Sequence, residues 1–247
     1  NNINRKKGWG IKGDTLNLVN ESSSNWFNLG DIDYQYNKKK KVDMDKGMTL
    51  QENIKFRCKE LGLSDVTILP MTNDKVETYI LTPEGKMHFQ KYLIKNKMLP
   101  KVLGIEFQNI ANASPAHSLI DLVKESDLII YCPSNPLISI DPILEVKGIY
   151  DEIKMSDSKK VAISPIVNDK AFKGPILNLM KLKGLELSVL GVAEYYKTKA
   201  DFLLIDNSDK HYEKRIKEFG LEPIVTNINM TSKDVSINIS KIILDLL

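Results

Sequence analysis

The sequence predicts an α/β fold with a doubly wound parallel sheet at its core, and two observations carry this prediction. From Ser114 onward, short β-branched runs alternate with helical patterns at the spacing of a parallel sheet with right-handed crossovers. Residues 127–144, DLIIYCPSNPLISIDPIL, then contain an apolar run that ends abruptly on two prolines. Because proline cannot pair in a central strand, the chain must leave the sheet here, at the carboxyl end of a strand.

Helical segments are predicted from capping and stop signals. The clearest lies at residues 49–61, where Thr49 and Glu52 form a capping box and Gly62 is a stop signal. The other predicted helical segments are residues 115–125, short turns within 142–153, residues 175–182, a helix beginning at 191, and residues 210–219 and 232–247. Residues 1–48 are polar with scattered apolar positions, and no element is predicted there.

Strands are predicted where short apolar runs are bounded by turn residues. These runs are residues 66–69, 76–81, 102–107, 127–132, 160–163, 202–205 and 223–226. The first three follow one another without long helices, so residues 65–110 are predicted to form an inserted β-rich lobe. The predicted organisation is one Rossmann-like α/β domain over residues 1–247 that carries this lobe.

Composition argues against several classes of protein. The net charge of +3 is too small to indicate nucleic-acid binding, and the basic run at residues 38–41 is more typical of a solvated surface. No apolar run reaches the ~18 residues of a membrane-spanning helix, so no membrane association is predicted. Cys58 and Cys132 lie far apart without metal-ligand spacing, which fits a reducing cytoplasm. Cys132 lies in an apolar strand and is predicted to be a core residue.

Short polar side chains follow three predicted strands of the parallel sheet. Ser134 and Asn135 follow the first of them, Ser164 the second and Asp206 the third. Because the carboxyl ends of parallel strands meet at one edge, these side chains are expected to line one crevice, where open α/β sheets bind ligands. Ser134 and Asn135 also offer backbone N–H groups to a phosphate, although an ordinary loop with an Asn turn has the same pattern.

A cation and several carboxylates complete the set of candidates. Lys173 and Gly174 stand just before a predicted helix, which suits an anion site but equally a capped helix with a solvated lysine. Asp31 and Asp33 could bind Mg²⁺, orient a substrate hydroxyl or begin a helix, and with Asp14 they are the catalytic candidates. The sequence has no P-loop and no motif of covalent catalysis. This equipment is typical of phosphoryl-type transfer, in which catalysis is mostly positioning and charge stabilisation.

The same residues carry a resemblance to a known family. Residues 132–144, CPSNPLISIDPIL, resemble the CPSNPxxSIxPIL signature of 2-phospho-L-lactate transferases. The other matching segments follow in the family's order along almost the whole chain: GWGIKGDT at 8–15, LPMTNDKVET at 69–78, HFQ at 88–90, VAISPI at 161–166, KGP at 173–175 and GVAEYY at 191–196. This combination is specific to the family and is not a general signal of the fold.

The resemblance implies a reaction and its substrates. A ribityl hydroxyl of a deazaflavin would attack lactyl-diphospho-guanosine, so that phospholactyl is transferred and GMP leaves, with Mg²⁺ assisting. The resemblance also adds Met71, Thr72 and Ser139 to the substrate-binding candidates. The sequence does not determine whether a lactyl or an enolpyruvyl group is carried, nor the oligomeric state, for which a homodimer is one arrangement.

The sequence also departs from the family pattern. A Gly-rich GGTG loop and an SPDLD segment have no counterpart in these residues, so the chain is expected to be N-terminally incomplete. Ile32 stands where the family has an arginine at the deazaflavin, and impaired transfer is therefore expected. The alternative is a non-catalytic regulator of the related gluconeogenesis-factor type, which binds nucleotide-sugars. That group has a GPGSLYTS-like loop in place of CPSNP, which favours the enzyme.

Overall fold

The computed structural model describes residues 19–20, 28–168, 170–171 and 175–247 of the chain. The strands in this part of the chain are β1 (Val19–Asn20), β2 (Asn28–Leu29), β3 (Glu77–Thr82), β4 (Gly85–His88), β5 (Gly104–Gln108), β6 (Leu128–Tyr131), β7 (Lys159–Ile163), β8 (Ile166–Val167), β9 (Lys170–Ala171), β10 (Phe202–Ile205) and β11 (Glu222–Val225). The α-helices are α1 (Asp31–Asp45), α2 (Leu50–Glu60), α3 (Leu119–Lys124), α4 (Asp141–Leu144), α5 (Ile149–Met155), α6 (Ile176–Leu182), α7 (Val189–Tyr196), α8 (Glu213–Glu218) and α9 (Lys233–Leu244).

The core is a parallel sheet in the order β11-β10-β7-β6. Alternate residues of β7 face opposite sides: Ala162 packs with the large cluster formed mainly by α4 to α8, whereas Val161 and Ile163 pack with α9. Full burial of such aliphatic side chains contributes about 1.5–3 kcal/mol each. Helices therefore cover both faces of the sheet, and the predicted α/β class with a parallel sheet is confirmed.

A second sheet lies within the predicted β-rich segment. Strands β4, β3 and β5 form an antiparallel sheet with β3 in the centre, where Ile80 is fully buried. The β3–β4 turn closes where the Thr82 hydroxyl donates to the Gly85 carbonyl oxygen, and Gly85 takes a left-handed φ of 111°. The strands predicted at residues 76–81 and 102–107 are therefore confirmed, each displaced by one or two residues.

Three predictions of local structure are wrong. Residues 66–69 do not form a strand, because they have no pairing partner among the described residues, and Val66 and Ile68 are exposed. The helix predicted from residue 115 begins only at Leu119, because Pro115 forms a β-bridge with Thr72 and Ser118 is left-handed. The helix predicted at residues 210–219 is a 3₁₀ turn, Asn207–Tyr212, followed by the shorter α8.

Helix α1 and Cys132 also differ from the main expectations. No element is predicted for residues 31–45, although Asp31 and Asp33 are given the alternative of beginning a helix; α1 does begin there, and none of its residues is buried. Its contacts are on the surface: Asp31 and Asp33 lie at its positive end, and Lys39 reaches Glu60 of α2 at 2.9 Å. Cys132 is exposed and not in the core, because it comes directly after edge strand β6.

Candidate functional site

The loop after β6 holds Asn135 in a conformation with one half of its amide unused. Its Oδ1 accepts the Leu137 N–H at 3.0 Å and so caps the π-helical turn Pro136–Ile140, which continues into α4. Asn135 is only 7% exposed, and its Nδ2 is buried with no hydrogen-bond partner among the described residues. A buried donor without a partner costs about 1–3 kcal/mol, and functional sites are one place where such a cost is tolerated.

The neighbouring residues of this loop are fixed by the backbone. Ser134 donates its N–H to the Cys132 carbonyl oxygen at 2.7 Å, and Ser139 donates its N–H to the Asn135 carbonyl oxygen at 2.9 Å. Both serine side chains are half-buried. The loop therefore has a defined shape, with two hydroxyls close to Asn135 along the chain.

The loop after β7 is closed by Ser164. This residue is fully buried, and its Oγ accepts the Ile166 N–H at 3.1 Å while donating to the Ile166 carbonyl oxygen at 2.8 Å. Its own N–H donates to the Leu204 carbonyl oxygen of β10. The predicted substrate-binding hydroxyl is thus engaged within the protein, at the base of the β8–β9 hairpin.

Asp206 ends the third strand and ties two strand ends together. Its carboxylate accepts the Ser208 N–H at 3.0 Å, the Ser208 hydroxyl at 2.8 Å and the Ile228 N–H at 3.4 Å. Partial burial would raise the pKa of the Asp206 carboxyl, but the hydrogen bonds from Ser208, Ile228 and Asn207 outweigh it and lower that pKa. Asp206 therefore remains a carboxylate engaged in local structure.

Sheet register places these strand ends at one edge. Tyr131 of β6 lies opposite Ala162 of β7, and Leu204 of β10 lies opposite Ile163. The residues that follow, Ser134 and Asn135, Ser164, and Asp206, therefore leave from the same edge of the sheet. The sequence predicted this arrangement, and the structure agrees.

A polar pair of the buried Tyr195 and the half-buried Asp141 contacts the β6 loop, and sequence reasoning missed it. The Tyr195 hydroxyl of α7 donates to Asp141 Oδ1 at 2.5 Å and lies 3.2 Å from the Pro136 carbonyl oxygen. Burial raises the pKa of the Asp141 carboxyl, and the Tyr195 hydrogen bond and the positive charge of Lys199 offset this only in part. Burial likewise raises the pKa of the Tyr195 phenol. Both residues lie in segments that match the family pattern, DPIL and GVAEYY, but nothing in the sequence predicts that the two side chains are in contact.

The Met71–Thr72 loop is hydrogen-bonded to the segment just before α3. Thr72 is buried, and its Oγ1 accepts the Asp74 N–H at 3.0 Å. Asp74 in turn accepts the Ser114 N–H at 2.8 Å, and Ala116 donates its N–H to the Met71 carbonyl oxygen. No hydrogen bond within the described ranges joins this loop to the β6 loop, so the role of Met71 and Thr72 in substrate binding stays a prediction.

The carboxylate candidates lie apart from these loops along the chain. Asp31 and Asp33 occupy the first turn of α1, and Asp31 Oδ1 accepts the adjacent Ile32 N–H at 3.0 Å. Asp14, Lys173 and Gly174, with the GWGIKGDT segment, lie outside the described residues. In the part of the chain that the structure describes, no group of three or more His, Cys, Asp or Glu residues could hold a metal ion.

Several cavities of about 490–580 Å³ lie elsewhere among the described residues, and one of them has a volume of about 530 Å³. It is lined by α2, by residues 62–69 and by His117, Ser118 and Leu122, and no described candidate residue lines it. We place the site at the sheet edge, because that is where an open α/β sheet binds ligands and where Asn135 has an unused donor.

The fold defines a Rossmann-like α/β protein, a class whose members bind ligands at the carboxyl ends of their strands. The family described as 2-phospho-L-lactate transferase CofD matches residues 40–243, which is most of the chain. The chain belongs to the 2-phospho-L-lactate transferase family, and it is therefore a transferase.

Relatives and solved structures agree with this assignment. The 2-phospho-L-lactate transferase of Methanocaldococcus jannaschii is 36% identical, over 98% of this chain and 79% of that protein. The one from Methanosarcina barkeri is 33% identical, over 99% of this chain and 79% of that protein. A crystal structure of a UPF0052 family member from Bacillus halodurans has a TM-score of 0.58 at 18% identity, covers 82% of this chain and 68% of that chain, and supports the fold alone.

Among the described residues, no helix is both long and apolar enough to cross a membrane.

Proposed function

We propose that the protein transfers phospholactyl from lactyl-diphospho-guanosine to a deazaflavin. The deazaflavin's ribityl hydroxyl oxygen forms a bond to the phosphorus that carries lactate. The bond from that phosphorus to the bridging oxygen breaks, GMP leaves with the bridging oxygen, and the hydroxyl proton passes to solvent or a base. The family assignment supports a transferase, and the donor, the acceptor and the leaving group are our inference from the resemblance and the sheet edge.

The observation that carries the proposal is the unused amide of Asn135. A phosphate oxygen of the donor would accept a hydrogen bond from Asn135 Nδ2, which has no partner among the described residues. Hydrogen bonds to charged groups contribute about 1.5–3 kcal/mol, more than neutral ones. A hydrogen bond from Asn135 Nδ2 to a phosphate of the substrate would therefore remove the free-energy cost of leaving this buried N–H group unpaired.

The other residues of the edge would position the donor and take no part in covalent chemistry. The Ser134 and Ser139 hydroxyls are close to Asn135 along the chain, and Lys173 and Gly174 are proposed for the anion on the basis of sequence alone. No described residue is assigned as a nucleophile, because in a phosphoryl-type transfer the acceptor hydroxyl attacks directly.

The described residues contain no group of three or more His, Cys, Asp or Glu residues for a metal ion. Asp31 and Asp33 both lie in the first turn of α1. A requirement for Mg²⁺ stays a prediction.

The proposal is tested by measuring GMP release by chromatography with both substrates present. GMP should appear only when deazaflavin and lactyl-diphospho-guanosine are supplied together, with an equal amount of phospholactyl-deazaflavin formed. Donor without acceptor is the control for hydrolysis. Uridine nucleotide-sugars test the regulator alternative. If they raise the melting temperature of the protein and guanosine diphosphate does not, the proposal is contradicted.

A further inference from the structure

One tyrosine of α7 contacts both ends of the π-helical turn that follows Asn135. The Tyr195 hydroxyl lies 3.2 Å from the Pro136 carbonyl oxygen at the start of the turn, and it donates to Asp141 Oδ1 at 2.5 Å directly after the turn. The Asp141 N–H also donates to the Pro136 carbonyl oxygen, so these two residues close the turn. Because a phenol has a single O–H, the shorter contact with the carboxylate is the stronger of the two.

The same turn determines where the Asn135 side chain lies. Asn135 Oδ1 accepts the Leu137 N–H, and the Asn135 carbonyl oxygen accepts the N–H groups of Ser139 and Ile140 at 2.9 and 3.3 Å. Three hydrogen bonds therefore tie Asn135 to the turn, while its Nδ2 has no partner among the described residues. Any displacement of the turn would move this amide.

Helix α7 is a firmly packed support for the tyrosine. Apart from Glu194, every residue of α7 is buried. A Cβ at Gly191 would lie 2.0 Å from the Glu186 carbonyl oxygen, so the helix packs directly against that backbone. Lys199 Nζ donates to the Tyr195 carbonyl oxygen at 3.0 Å and lies 4.3 Å from the centre of the Tyr195 ring. The Tyr195 hydroxyl therefore projects from an element that is itself fixed.

The next residue of α7 offers an internal comparison. Tyr196 is also buried, and its ring centre lies 5.2 Å from that of Tyr131, the last residue of β6. In contrast to that of Tyr195, the Tyr196 hydroxyl has no hydrogen-bond partner in the part of the chain that the structure describes. Replacing each tyrosine by phenylalanine therefore removes a bonded hydroxyl in one case and an unbonded one in the other.

We propose that Tyr195 is a positioning residue for donor binding. Its contacts with Pro136 and Asp141 hold the π-helical turn, and the turn holds the Asn135 amide where it meets the donor phosphate. Tyr195 touches no reacting atom in this proposal. Asp141 stands at an unspecified position of the CPSNPxxSIxPIL signature, so the resemblance assigns it no role. The inference rests on the proposed function, because it assumes that Asn135 binds a guanosine-phosphate donor.

The test removes the contact from each side. Tyr195→Phe keeps the ring and removes the hydroxyl, and Asp141→Ala removes the acceptor, whereas Asp141→Asn keeps an acceptor for the phenol. Tyr196→Phe is the matched control. Guanosine diphosphate binding is measured by calorimetry, deazaflavin binding by fluorescence and folding by thermal unfolding. The side-chain amide signals of Asn135 are followed in ¹H–¹⁵N spectra of the free proteins.

The expected result is a selective loss that passes through one contact. The Kd for guanosine diphosphate should rise about fivefold in Tyr195→Phe and in Asp141→Ala, which corresponds to about 1 kcal/mol. The double variant should bind no more weakly than either single variant, because both changes remove the same hydrogen bond. Asp141→Asn and Tyr196→Phe should bind like the wild type, and deazaflavin affinity should stay unchanged in all variants.

The spectra of the free proteins give a readout of position that does not depend on a ligand. The Asn135 amide signals should shift in Tyr195→Phe and Asp141→Ala and stay in place in Tyr196→Phe. Unshifted signals in a folded Tyr195→Phe would overturn the positioning role, because the turn would then hold Asn135 without the tyrosine.

Failures of the inference and of the proposed function differ. A folded wild type that does not bind guanosine diphosphate would contradict the proposed function and, with it, the inference. A wild type that binds it, with a folded Tyr195→Phe that binds equally well, would overturn the role of Tyr195 alone. Equal losses in Tyr195→Phe and Tyr196→Phe, or additive losses in the double variant, would also overturn that role, because the effect would then not pass through the contact with Asp141.

Discussion

The loops after β6 and β7 begin at neighbouring positions of the same sheet edge, yet they use their polar residues in opposite ways. Ser164 in the β7 loop is fully buried, and its hydroxyl both donates and accepts within the protein. Asn135 in the β6 loop uses its oxygen for the Leu137 N–H but leaves its Nδ2 without a partner among the described residues.

This difference separates a residue engaged within the protein from a residue with a donor left for a ligand. The resemblance and the strand-end pattern assign substrate binding to both residues, and only the hydrogen bonds distinguish them. The Ser164 hydroxyl already uses its only O–H and cannot donate to a phosphate without breaking an internal bond, whereas the Asn135 amide has an N–H donor left. The β6 loop is thus the better candidate for the donor phosphates, and the β7 loop supports the hairpin.

The largest expected effect is at Asn135. Asn135→Ala should weaken guanosine diphosphate binding by ~1–3 kcal/mol, because it removes a donor to a charged group. Asn135→Asp should weaken it further, because the new carboxyl keeps the acceptor for Leu137 but places negative charge near the phosphate. Calorimetry measures the affinity of both variants and of the wild type for guanosine diphosphate. Equal affinity in the three proteins would show that the β6 loop has only a structural role.

Ser164→Ala should have the opposite profile. It leaves the N–H and carbonyl of buried Ile166 unpaired, so the free energy of unfolding should fall by about 1–3 kcal/mol. Guanosine diphosphate affinity should fall less than in Asn135→Ala. Chemical denaturation and calorimetry on the same samples give the two numbers, and a binding loss without a stability loss would reverse the assignment of the two loops.

A smaller effect is expected at the capping box of α2, which provides a purely structural reference. Thr49 accepts the Glu52 N–H at 3.2 Å, and the Glu52 carboxylate accepts the Thr49 N–H at 2.8 Å. Thr49→Ala should lower the free energy of unfolding by about 1 kcal/mol, as is usual for a lost N-cap. Its guanosine diphosphate affinity should equal that of the wild type. A loss of affinity here would mean that α2 takes part in the site.

The smallest effect concerns the support of the β6 loop by Asp141. A carboxyl whose pKa is raised on folding costs stability above its folded pKa and nothing below its unfolded pKa, which is near 3.8. Asp141→Asn keeps an acceptor for Tyr195 and removes this cost, so it should melt at a higher temperature than the wild type near neutral pH. The difference in melting temperature between the two proteins should shrink as the pH falls from above the folded pKa of Asp141 to below its unfolded pKa. Thermal unfolding over a pH series measures this difference, with the variant of exposed Asp151, Asp151→Asn, as control. A difference that stays constant with pH would contradict the account.

Sequence reasoning succeeded where one local pattern determines the structure. The apolar runs of β6, β7 and β10 alternate or end on turn residues, so their strands and their common edge could be predicted. It failed where tertiary context decides: the polar residues 31–45 form α1, and the β-branched residues 66–69 have no strand partner among the described residues.

The candidate site shows the same limit. Ser134, Asn135 and Ser164 could be found because strand ends mark them, and they do lie at one edge. The sequence could not show which of these residues has a free hydrogen-bonding group, because that depends on backbone partners that only the folded chain supplies. The contact of Tyr195 with Asp141 joins residues that are 54 positions apart, and no local pattern signals it.

The central claim is that Asn135 Nδ2 binds the donor phosphate, and nuclear magnetic resonance tests it most directly. In a ¹H–¹⁵N spectrum of the wild type, the side-chain amide signals of Asn135 are identified by their absence in Asn135→Asp. Titration with guanosine diphosphate should move one of these Nδ2 proton signals downfield, as expected for a new hydrogen bond to an anion, while the Asn238 side-chain amide near Thr226 stays in place. Saturating guanosine diphosphate that leaves the Asn135 signals unmoved would contradict the claim.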